Sequence, residues 1–335
     1  MTLLIKEEEV LRAVTPMDII QAVEDGFRQH GLGLAQTKAR REVRIRNKNL
    51  PHADPRMVRV GQGLAFLEES GVVLVNLILS FPDRRKPGTR FLNYVIDAND
   101  GTVIAIVESS TLTALRTAAS GAVGAKYLAR KNSMIAGIIG TGRQGRHQLR
   151  FLSKVIHISK AYCYSLVPEE TLAYCDEMGK ELGITILPSK NVEEVVRISD
   201  ILVTATQSTT PIIKTDWLRH GQHFNIIGAD DAPKIELEGA ALKKADKLVI
   251  SARDCLLTGQ LRIPIDEGII TEANIYGTIG EIVAGKKHGR ESEREITIFH
   301  SPGITIQDAA AAYKVYQKAH ELGLGKEVVD PFALE

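Results

Sequence analysis

From residue 135 onward, short runs of apolar and largely β-branched residues recur, and helix-length stretches separate them. The runs that we predict to be strands are Ile135–Ile139, Ala161–Tyr164, Ile184–Leu187, Ile201–Thr206, Phe224–Ile227 and Lys247–Ser251. Strands that alternate with helices indicate βαβ crossovers, and strands without polar alternation are typical of a sheet that helices cover on both faces. The pattern predicts an α/β domain with a doubly wound parallel sheet.

A glycine-rich segment, Gly-Thr-Gly-Arg-Gln-Gly, directly follows the first of these runs and precedes a helical stretch. This context makes the pattern typical of a Rossmann dinucleotide site rather than of a tight glycine turn alone. Gly140 permits the turn, Gly142 lets the backbone approach a pyrophosphate, and Gly145 lets helix and strand pack closely. The residues that we predict to bind a dinucleotide here are Gly140, Thr141, Gly142, Arg143, Gln144 and Gly145.

The end of the second predicted strand indicates which dinucleotide is bound. An acid at this point would bind the adenosine ribose 2′-hydroxyl, but residues 161–166 contain neither Asp nor Glu. A 2′-phosphate is therefore not repelled, and Ser165 and Arg143 can make polar or charged contacts to it. We expect NADP(H) in preference to NAD(H). In the alternative, Arg143 is a solvated surface cation.

The first 110 residues have a different pattern. The strand-like runs are Gly71–Leu79, Tyr94–Asp97 and Thr102–Val107. A helix is expected to begin with Thr15 as its N-cap and Pro16 at its first position. Strands separated by turn residues, without regular crossovers, predict a separate α+β domain.

A long helix is predicted from Ser110 to Arg130, between the two patterns. Its apolar positions follow helical spacing and are Leu112, Leu115, Ala119, Val123 and Tyr127. The last predicted helix, Ile306–His320, follows the apolar run Ile296–Phe299 and can return to the first domain.

Composition excludes several classes of partner. The 42 basic and 41 acidic residues leave a net charge of +1, so no global field recruits nucleic acid or a membrane surface. Apolar stretches such as Gly71–Ser80 are shorter than the roughly 18–20 residues that a membrane-spanning helix needs. The N-terminal segment is acidic where a secretory signal would be basic, so we expect a cytoplasmic location.

Three cysteines, Cys163, Cys175 and Cys255, lie at wide intervals without a C-x-x-C pair. We expect no disulfide, no structural zinc and no other metal site. Each cysteine is interpreted as a small buried hydrophobic residue.

Six segments between about residues 70 and 320 carry a family resemblance. They are Leu112–Ala118, Ala125–Arg130, Gly140–Gly145, Asn225–Asp230, Gly277–Gly285 and Phe299–Gly303. A Thr-Ala-x-Arg-Thr-Ala segment before the glycine loop and Gly-Ala-Asp after the fifth strand together resemble the ornithine cyclodeaminase/μ-crystallin family. Within it, the chain is most similar to the branch of archaeal-type alanine dehydrogenases and imine reductases.

The resemblance implies a domain organisation. Residues 1–120, joined by 305–332, would form a substrate-binding and dimerisation domain, and residues 121–304 would form the Rossmann domain. Two subunits would pair through the first domain, so a homodimer is expected.

The resemblance also implies two catalytic residues. Arg116 lies where the family's substrate-carboxylate arginine falls, and a guanidinium is a rigid fork for a carboxylate. Asp230 matches the catalytic aspartate and lies just beyond the fifth predicted strand, where open α/β sheets bind ligands. Its neighbour Asp231 is the rival candidate. We prefer Asp230 on the motif and expect it to be partly buried.

Further cofactor contacts follow from the resemblance alone. These residues are Thr204, Thr206, Ile227, Gly228, Ala229, Lys234 and Ser301. Hydroxyls at strand ends alternatively bond to the backbone. His300, where relatives usually have Asp, can border the substrate pocket, and its alternative is a structural hydrogen bond.

The chain departs from the family at two substrate-side positions. Members that act on amino acids usually carry a lysine before a Phe-Pro or His-Pro step, but no lysine lies between Gly61 and Arg85. The corresponding position is Val73 or Asn76, depending on the alignment. Candidates to replace the lysine are Arg84, Arg85 and Lys86, and a differently shaped substrate is the other explanation. Candidates for the family's earlier arginine are Arg40, Arg41 and Arg44.

These residues predict an NAD(P)H-dependent reductase of α-imino acids, equivalently an amino-acid dehydrogenase. Arg116 would bind the carboxylate of a small amino or imino acid, and Asp230 would act as acid or base. An amino-acid cyclodeaminase of the ornithine or lysine type, with a catalytic NAD, is the alternative that the missing lysine disfavours. A non-catalytic, NADPH-binding protein like the crystallin relatives is a second alternative.

Overall fold

The computed structural model describes residues 1–45, 58–80 and 89–329. The chain divides into two compact units, Met1–Arg116 with Thr305–Glu335 and Thr117–Ile304. The first boundary falls at Arg116, whereas the resemblance implies residue 120. None of the helices in the described ranges is long and apolar enough to span a membrane.

The elements of the described residues are as follows, in chain order. The strands are β1 Thr2–Ile5, β2 Ala35–Ile45, β3 Val58–Leu67, β4 Val72–Ser80, β5 Thr89–Asp97, β6 Val103–Glu108, β7 Ile135–Ile139, β8 Lys160–Tyr164, β9 Thr185–Pro188, β10 Ile201–Thr204, β11 His223–Ile226, β12 Lys247–Ile250, β13 Ile275–Thr278, β14 Thr297–His300 and β15 Lys326–Val328. The helices are α1 Glu7–Ala13, α2 Pro16–Leu32, α3 Ser110–Leu128, α4 Arg143–Val155, α5 Pro168–Leu182, α6 Val192–Ile198, α7 Gly239–Lys244, α8 Gly259–Asp266, α9 Ile279–Val283 and α10 Thr305–Glu321.

The first unit is built on a seven-stranded mixed sheet. Its strand order is β15-β1-β6-β5-β4-β3-β2, and β1 and β6 are parallel while the other pairs are antiparallel. Helix α10 packs against α2 and against β3 and β4. The last helix therefore belongs to the N-terminal unit, and the predicted α+β domain is confirmed.

Helix α2 begins as the sequence predicts. The Thr15 hydroxyl accepts from the Asp18 N–H at 3.2 Å, and the Asp18 carboxylate accepts from the Thr15 N–H at 2.8 Å. Pro16 occupies the first position, and Gly33 ends the helix with a φ of 85°. These capping bonds satisfy N–H groups that the helix itself cannot.

The second unit contains the predicted doubly wound sheet. All eight strands are parallel, in the order β13-β12-β14-β11-β10-β7-β8-β9. The six predicted strands are present, and β13 and β14 complete the sheet. The chain starts at β7 and proceeds first to β8 and β9, then to β10 on the other side. The order therefore reverses between β7 and β10, where such sheets bind ligands.

The predicted strand Ile201–Thr206 extends furthest beyond its observed end. The run Ile201–Thr206 stays in the sheet only to Thr204. Beyond that point, the Thr206 N–H donates to the carboxylate of Glu236 rather than to a neighbouring strand. A side chain thus takes over the backbone hydrogen bond and ends the ladder.

The predicted long helix ends at Leu128 rather than at Arg130. Its small residues permit close packing within the second unit. A Cβ at Gly124 would meet the ring of Phe299, and the Gly121 carbonyl accepts from the amide of Asn225 at 2.9 Å. This is the close approach expected of its Ala, Gly and Ser residues.

Candidate functional site

The glycine loop between β7 and α4 has a different constraint at each glycine. Gly140 has a φ of 98°, in the left-handed region that favours glycine. A Cβ at Gly145 would meet the carbonyl oxygen of Gly140, whereas a Cβ at Gly142 would meet no atom within 4 Å. The protein's own atoms therefore account for the need for glycine at positions 140 and 145. Beside Gly142 there is open space instead.

The same loop carries several polar groups. The Thr141 hydroxyl oxygen is buried and has no hydrogen-bond partner in the described part of the chain. Arg143 is exposed at the first position of α4, and Gln144 is half-buried. An orphaned hydroxyl, a helix N-terminus and open space beside Gly142 fit an anionic, acceptor-rich group such as a pyrophosphate.

Ser165 follows the second strand of the sheet, β8, and is half-buried. Its hydroxyl bonds with that of Thr171 at 2.9 Å and donates to the Val167 carbonyl at 3.0 Å. The Ser165 N–H also donates to the Thr171 hydroxyl, at 3.1 Å. Contacts with the first turn of α5 thus hold Ser165 at the carboxyl end of the strand.

A buried carboxylate, Glu236, joins the ends of β10 and β11. One of its oxygens accepts from the N–H and hydroxyl of Thr206, at 2.7 and 2.8 Å. The other accepts from the Thr204 hydroxyl at 2.8 Å and the Gly228 N–H at 2.9 Å. Burial raises the pKa of Glu236, and these four hydrogen bonds oppose the rise.

Sequence reasoning missed Glu236, although a signal was available. It lies between Ile235 and Leu237, both buried, so an acid at this position interrupts an apolar pair. A buried acid requires several donors. The hydroxyls of Thr204 and Thr206 supply two of them. The Thr206 hydroxyl also accepts from the Ser208 N–H at 3.3 Å, so the backbone alternative stated above holds in part for Thr206. Of the other predicted contacts, which follow β11, Ile227 and Ala229 are buried.

Asp230 lies two residues after Gly228, whose N–H donates to the buried carboxylate of Glu236. The side chain of Asp230 is 50% exposed, and its Oδ1 lies 2.6 Å from the Lys234 ammonium nitrogen. Half of its side-chain surface is therefore open to solvent. Asp231 is half-buried and accepts from the Ala232 N–H at 2.9 Å. Asp230 is accessible to a small molecule, with a cation beside it that balances its charge.

His300 and Ser301 lie at the end of β14, and both are buried. The His300 Nδ1 faces the Ile226 carbonyl at 3.2 Å, so it carries the proton, and Nε2 can accept from the Thr258 hydroxyl at 2.8 Å. Burial lowers the pKa of His300 to about 4. The Ser301 hydroxyl bonds with that of Ser120 at 2.7 Å. His300 is thus the structural hydrogen-bonder of the two alternatives.

Arg116 lies in the first unit and is 2% exposed. Its Nε donates to Asp308 Oδ1 at 2.9 Å, and its Nη1 donates to Gln307 Oε1 at 3.1 Å. An internal carboxylate thus already accompanies the arginine that we predict to bind a substrate carboxylate. Sequence reasoning missed Asp308, and its signal is an acid in the first turn of the alanine-rich α10.

The other substrate-side candidates are described only in part. Val73 and Asn76 point to opposite faces of β4, and Asn76 donates to the Asn93 side-chain oxygen at 2.6 Å. Arg41 on β2 is exposed. The side chains of Arg40 and Arg44, and all of Arg84, Arg85 and Lys86, lie outside the described residues. Within the described ranges, no group of three His, Cys, Asp or Glu side chains could hold a metal ion.

Comparison with known proteins places this geometry in a family context. The model of the ornithine cyclodeaminase/mu-crystallin family matches residues 1–323. Alanine dehydrogenase of Archaeoglobus fulgidus is 34% identical over 330 residues, which cover 98% of each chain.

Two solved structures share the fold over nearly the whole chain. The Δ1-pyrroline-2-carboxylate reductase of Thermococcus litoralis, in complex with NADH and L-proline, superposes with a TM-score of 0.89 at 34% identity and covers 98% of this chain and 100% of its own. A dimer of archaeal alanine dehydrogenase with bound NAD has a TM-score of 0.89 at 33% identity, with 98% and 99% coverage.

Proposed function

The chain belongs to the ornithine cyclodeaminase/μ-crystallin family, and from that premise we propose that it is an NAD(P)-dependent oxidoreductase of amino and imino acids. The observation that carries the proposal is the glycine loop, with its open space at Gly142 and the orphaned hydroxyl of Thr141. The loop, Ser165 and the ends of β10 and β11 would hold the dinucleotide. When bound, the nicotinamide supplies or accepts a hydride at the substrate α-carbon.

The chain's own residues then have two tasks. Arg116 binds the substrate carboxylate, and Asp308 and Gln307 fix the plane of its guanidinium so that the donors point in a defined direction. Asp230 takes a proton from the substrate nitrogen or returns one to it, and its exposure gives it access to that proton. Lys234 lies beside the carboxylate and keeps it oriented.

The test of this proposal is D230N. Asn keeps the size of the side chain but cannot transfer a proton, so kcat should fall by about 10²–10⁴ while the Kd for the cofactor stays unchanged. D231N is the matched control and should retain most activity. Near-normal turnover of D230N would remove Asp230 from the mechanism.

A cyclodeaminase is the second candidate in this family, and cofactor stoichiometry separates it from the reductase. A reductase consumes reduced nicotinamide in step with product, whereas a cyclodeaminase releases ammonia without net change in the cofactor. The absence of lysine between Gly61 and Arg85 favours the reductase. Tight cofactor binding without turnover on any 2-oxo acid and amine would instead indicate a non-catalytic protein.

We also propose that NADP(H) is preferred over NAD(H). The two solved relatives hold NADH and NAD. In this chain, Ser165 stands where an acid would exclude a 2′-phosphate, and Arg143 is exposed at the start of α4. NADPH should therefore bind more tightly than NADH in a fluorescence titration, and S165D should reverse the order. Tighter binding of NADH by the unmodified protein would contradict the preference.

The proposed substrate is a small α-imino acid, or the 2-oxo acid and amine that form it. The charge of Arg116 suits a carboxylate, and the Thermococcus litoralis relative holds L-proline. A panel of 2-oxo acids crossed with ammonia, methylamine and amino acids, and of cyclic imino acids, would identify the substrate through loss of reduced cofactor.

We propose further that the protein is a homodimer through the first unit. On β4, alternate residues face away from the buried side and are apolar and half-buried: Val73, Val75, Leu77 and Leu79. Leu64 on the neighbouring β3 is 39% exposed on the same face. An apolar sheet face of this kind is typical of an interface. Light scattering should give a dimer, and V75K/L77K should give a monomer.

A further inference from the structure

Two of the three cysteines meet in the second unit. The sulfur atoms of Cys163 on β8 and Cys175 on α5 lie 3.3 Å apart. Cys163 is buried, but Cys175 is half-buried, so the expectation that all three are buried is wrong for Cys175. The third, Cys255, is buried and contacts the Ser251 hydroxyl at 3.2 Å.

The two thiols are chemically unequal. The hydrogen bond between Cys163 and Cys175, together with burial, raises the pKa of Cys163. The same hydrogen bond lowers the pKa of Cys175, against the opposing effect of its partial burial. The thiolate is the nucleophilic form of cysteine. The more accessible sulfur is therefore also the more reactive one, and a buried partner thiol lies in contact with it. This is the arrangement of an attacking and a resolving cysteine.

We propose that Cys163 and Cys175 form a reversible intramolecular disulfide when the protein meets a peroxide. The Cys175 thiolate attacks hydrogen peroxide, the O–O bond breaks, and a sulfenic acid and water form. Cys163 then attacks that sulfur, its proton leaves with the hydroxide as a second water, and the S–S bond closes. The two thiols lose two electrons, which the peroxide gains. The sulfurs need to approach from 3.3 Å to about 2 Å.

The disulfide would act on the adenosine end of the proposed cofactor site, and this part rests on the proposed function. Cys163 lies two residues before Ser165, and Cys175 lies one helical turn after Thr171. Ser165 and Thr171 are joined by the hydrogen bonds described above. Closing the S–S bond therefore shifts the strand and the helix that together position Ser165. Cytosolic disulfides that are reversible are typically redox-sensing.

Thiol counting tests the disulfide itself. The full chain, unfolded after treatment with hydrogen peroxide, should show one reactive thiol instead of three, and dithiothreitol should restore the other two. Peptide mapping should join the Cys163 and Cys175 peptides. C163S and C175S should each abolish the cross-link, whereas C255A should retain it. Three remaining thiols, or a sulfinic Cys175 beside an unmodified Cys163, would overturn the proposal.

Cofactor affinity tests the consequence. NADPH fluorescence titration of the reduced and oxidised chain should show about fivefold weaker binding after oxidation, the effect of losing one hydrogen bond. In C163S the affinity should not respond to peroxide. Equal affinity of both forms would overturn the coupling while leaving the disulfide in place. A reduced chain that binds no nicotinamide cofactor would instead refute the proposed function, and thiol counting would still decide the disulfide.

Discussion

The two units each bury a charged side chain, and they satisfy it in opposite ways. In the first unit, Arg116 has an opposite charge, Asp308, at 2.9 Å and a neutral amide from Gln307. In the second, the four donors described for Glu236 are neutral: two hydroxyls and two backbone N–H groups. Arg116 is thus paired with an opposite charge, whereas the charge of Glu236 is stabilised by the dipoles of neutral hydroxyl and N–H groups.

This difference separates the tasks of the two centres. An ion pair keeps a guanidinium oriented, but removal of either partner leaves an unbalanced buried charge. A carboxylate that collects four neutral donors ties together the backbone segments that carry them. Glu236 thereby fixes the ends of β10 and β11, where several predicted cofactor contacts lie. Glu236 is a positioning residue, and Arg116 is a proposed binding residue with its own counter-ion.

The largest effect on stability is expected from D308N. The substitution removes the carboxylate that accepts from Nε of the buried guanidinium of Arg116, which should lower the free energy of unfolding by about 3–5 kcal/mol. Urea denaturation measures the loss. The double variant R116M/D308L removes both charges and should recover most of the stability. A loss below about 1 kcal/mol in D308N would show that the pair does not control this centre.

A smaller loss is expected from E236Q, because Gln removes a charge but leaves the shape. Its amide nitrogen must face the backbone N–H of either Thr206 or Gly228, so one donor loses its acceptor. The free energy of unfolding should fall by about 1.5–3 kcal/mol.

The chain offers a matched control for this variant. Glu238 also accepts from a backbone N–H and a hydroxyl, both of Thr215 and both at 2.8 Å, but it is only half-buried. E238Q should cost less than half as much as E236Q, since water can replace the lost bond. If E236Q were as stable as the parent, the four hydrogen bonds to Glu236 would do no more than offset the free-energy cost of burying its charge.

The pH dependence of the free energy of unfolding should differ in sign between His300, whose pKa is lowered, and Glu236, whose pKa is raised. Burial lowers the pKa of His300 to about 4, and in the unfolded chain its pKa is near the ordinary 6.5. Between these values the unfolded chain binds more protons, so stability falls as the pH falls, by about 2 kcal/mol from pH 7 to pH 5. For Glu236 the pKa is raised, so its contribution has the opposite sign and stability rises as the pH falls.

Unfolding free energies at pH 7 and pH 5 test both signs. H300N should show a smaller loss between the two pH values than the parent chain, because the titrating ring is gone. E236Q should show a larger loss, because the opposing contribution is gone. Identical losses in all three proteins would mean that neither group titrates in this range.

The sequence predicts the parts of the molecule that local patterns determine. The run Ile135–Ile139 is found as β7 with the same bounds, because a continuous apolar run between helices has only one way to bury both faces. Thr15 caps α2 as predicted, since the cap depends on a residue only three positions away. The glycine loop is recognised for the same reason, because its motif spans only six residues.

The side-chain partners could not be predicted in this way. Arg116 and Asp308 are 192 residues apart, and no periodicity connects them. Glu236 meets Thr204 and Thr206 across about thirty residues, as the two hydrogen-bond separations of 32 and 30 show. Cys163 and Cys175 are only 12 apart, but one lies on a strand and the other on a helix, so their contact depends on how the two pack. Tertiary packing decides all three pairings.

The smallest effect on folding is expected at Gly142, where an added Cβ would enter open space. Its φ is −73°, which alanine adopts readily, and an added Cβ meets no atom within 4 Å. G142A should therefore change the free energy of unfolding by less than about 0.5 kcal/mol, since the gain from a stiffer unfolded chain offsets the weaker helix cap. Cofactor binding should weaken by at least an order of magnitude, because the methyl group occupies the space that a pyrophosphate needs.

G145A is the contrasting variant in the same loop. Its Cβ would overlap the Gly140 carbonyl oxygen, so it should lower the free energy of unfolding by about 1–3 kcal/mol. Thermal denaturation of both variants measures the loss of stability, and an NADPH titration measures the loss of cofactor affinity. We expect G145A to lose mainly stability and G142A to lose mainly affinity. If G142A bound NADPH as tightly as the parent, the opening beside Gly142 would have no part in binding.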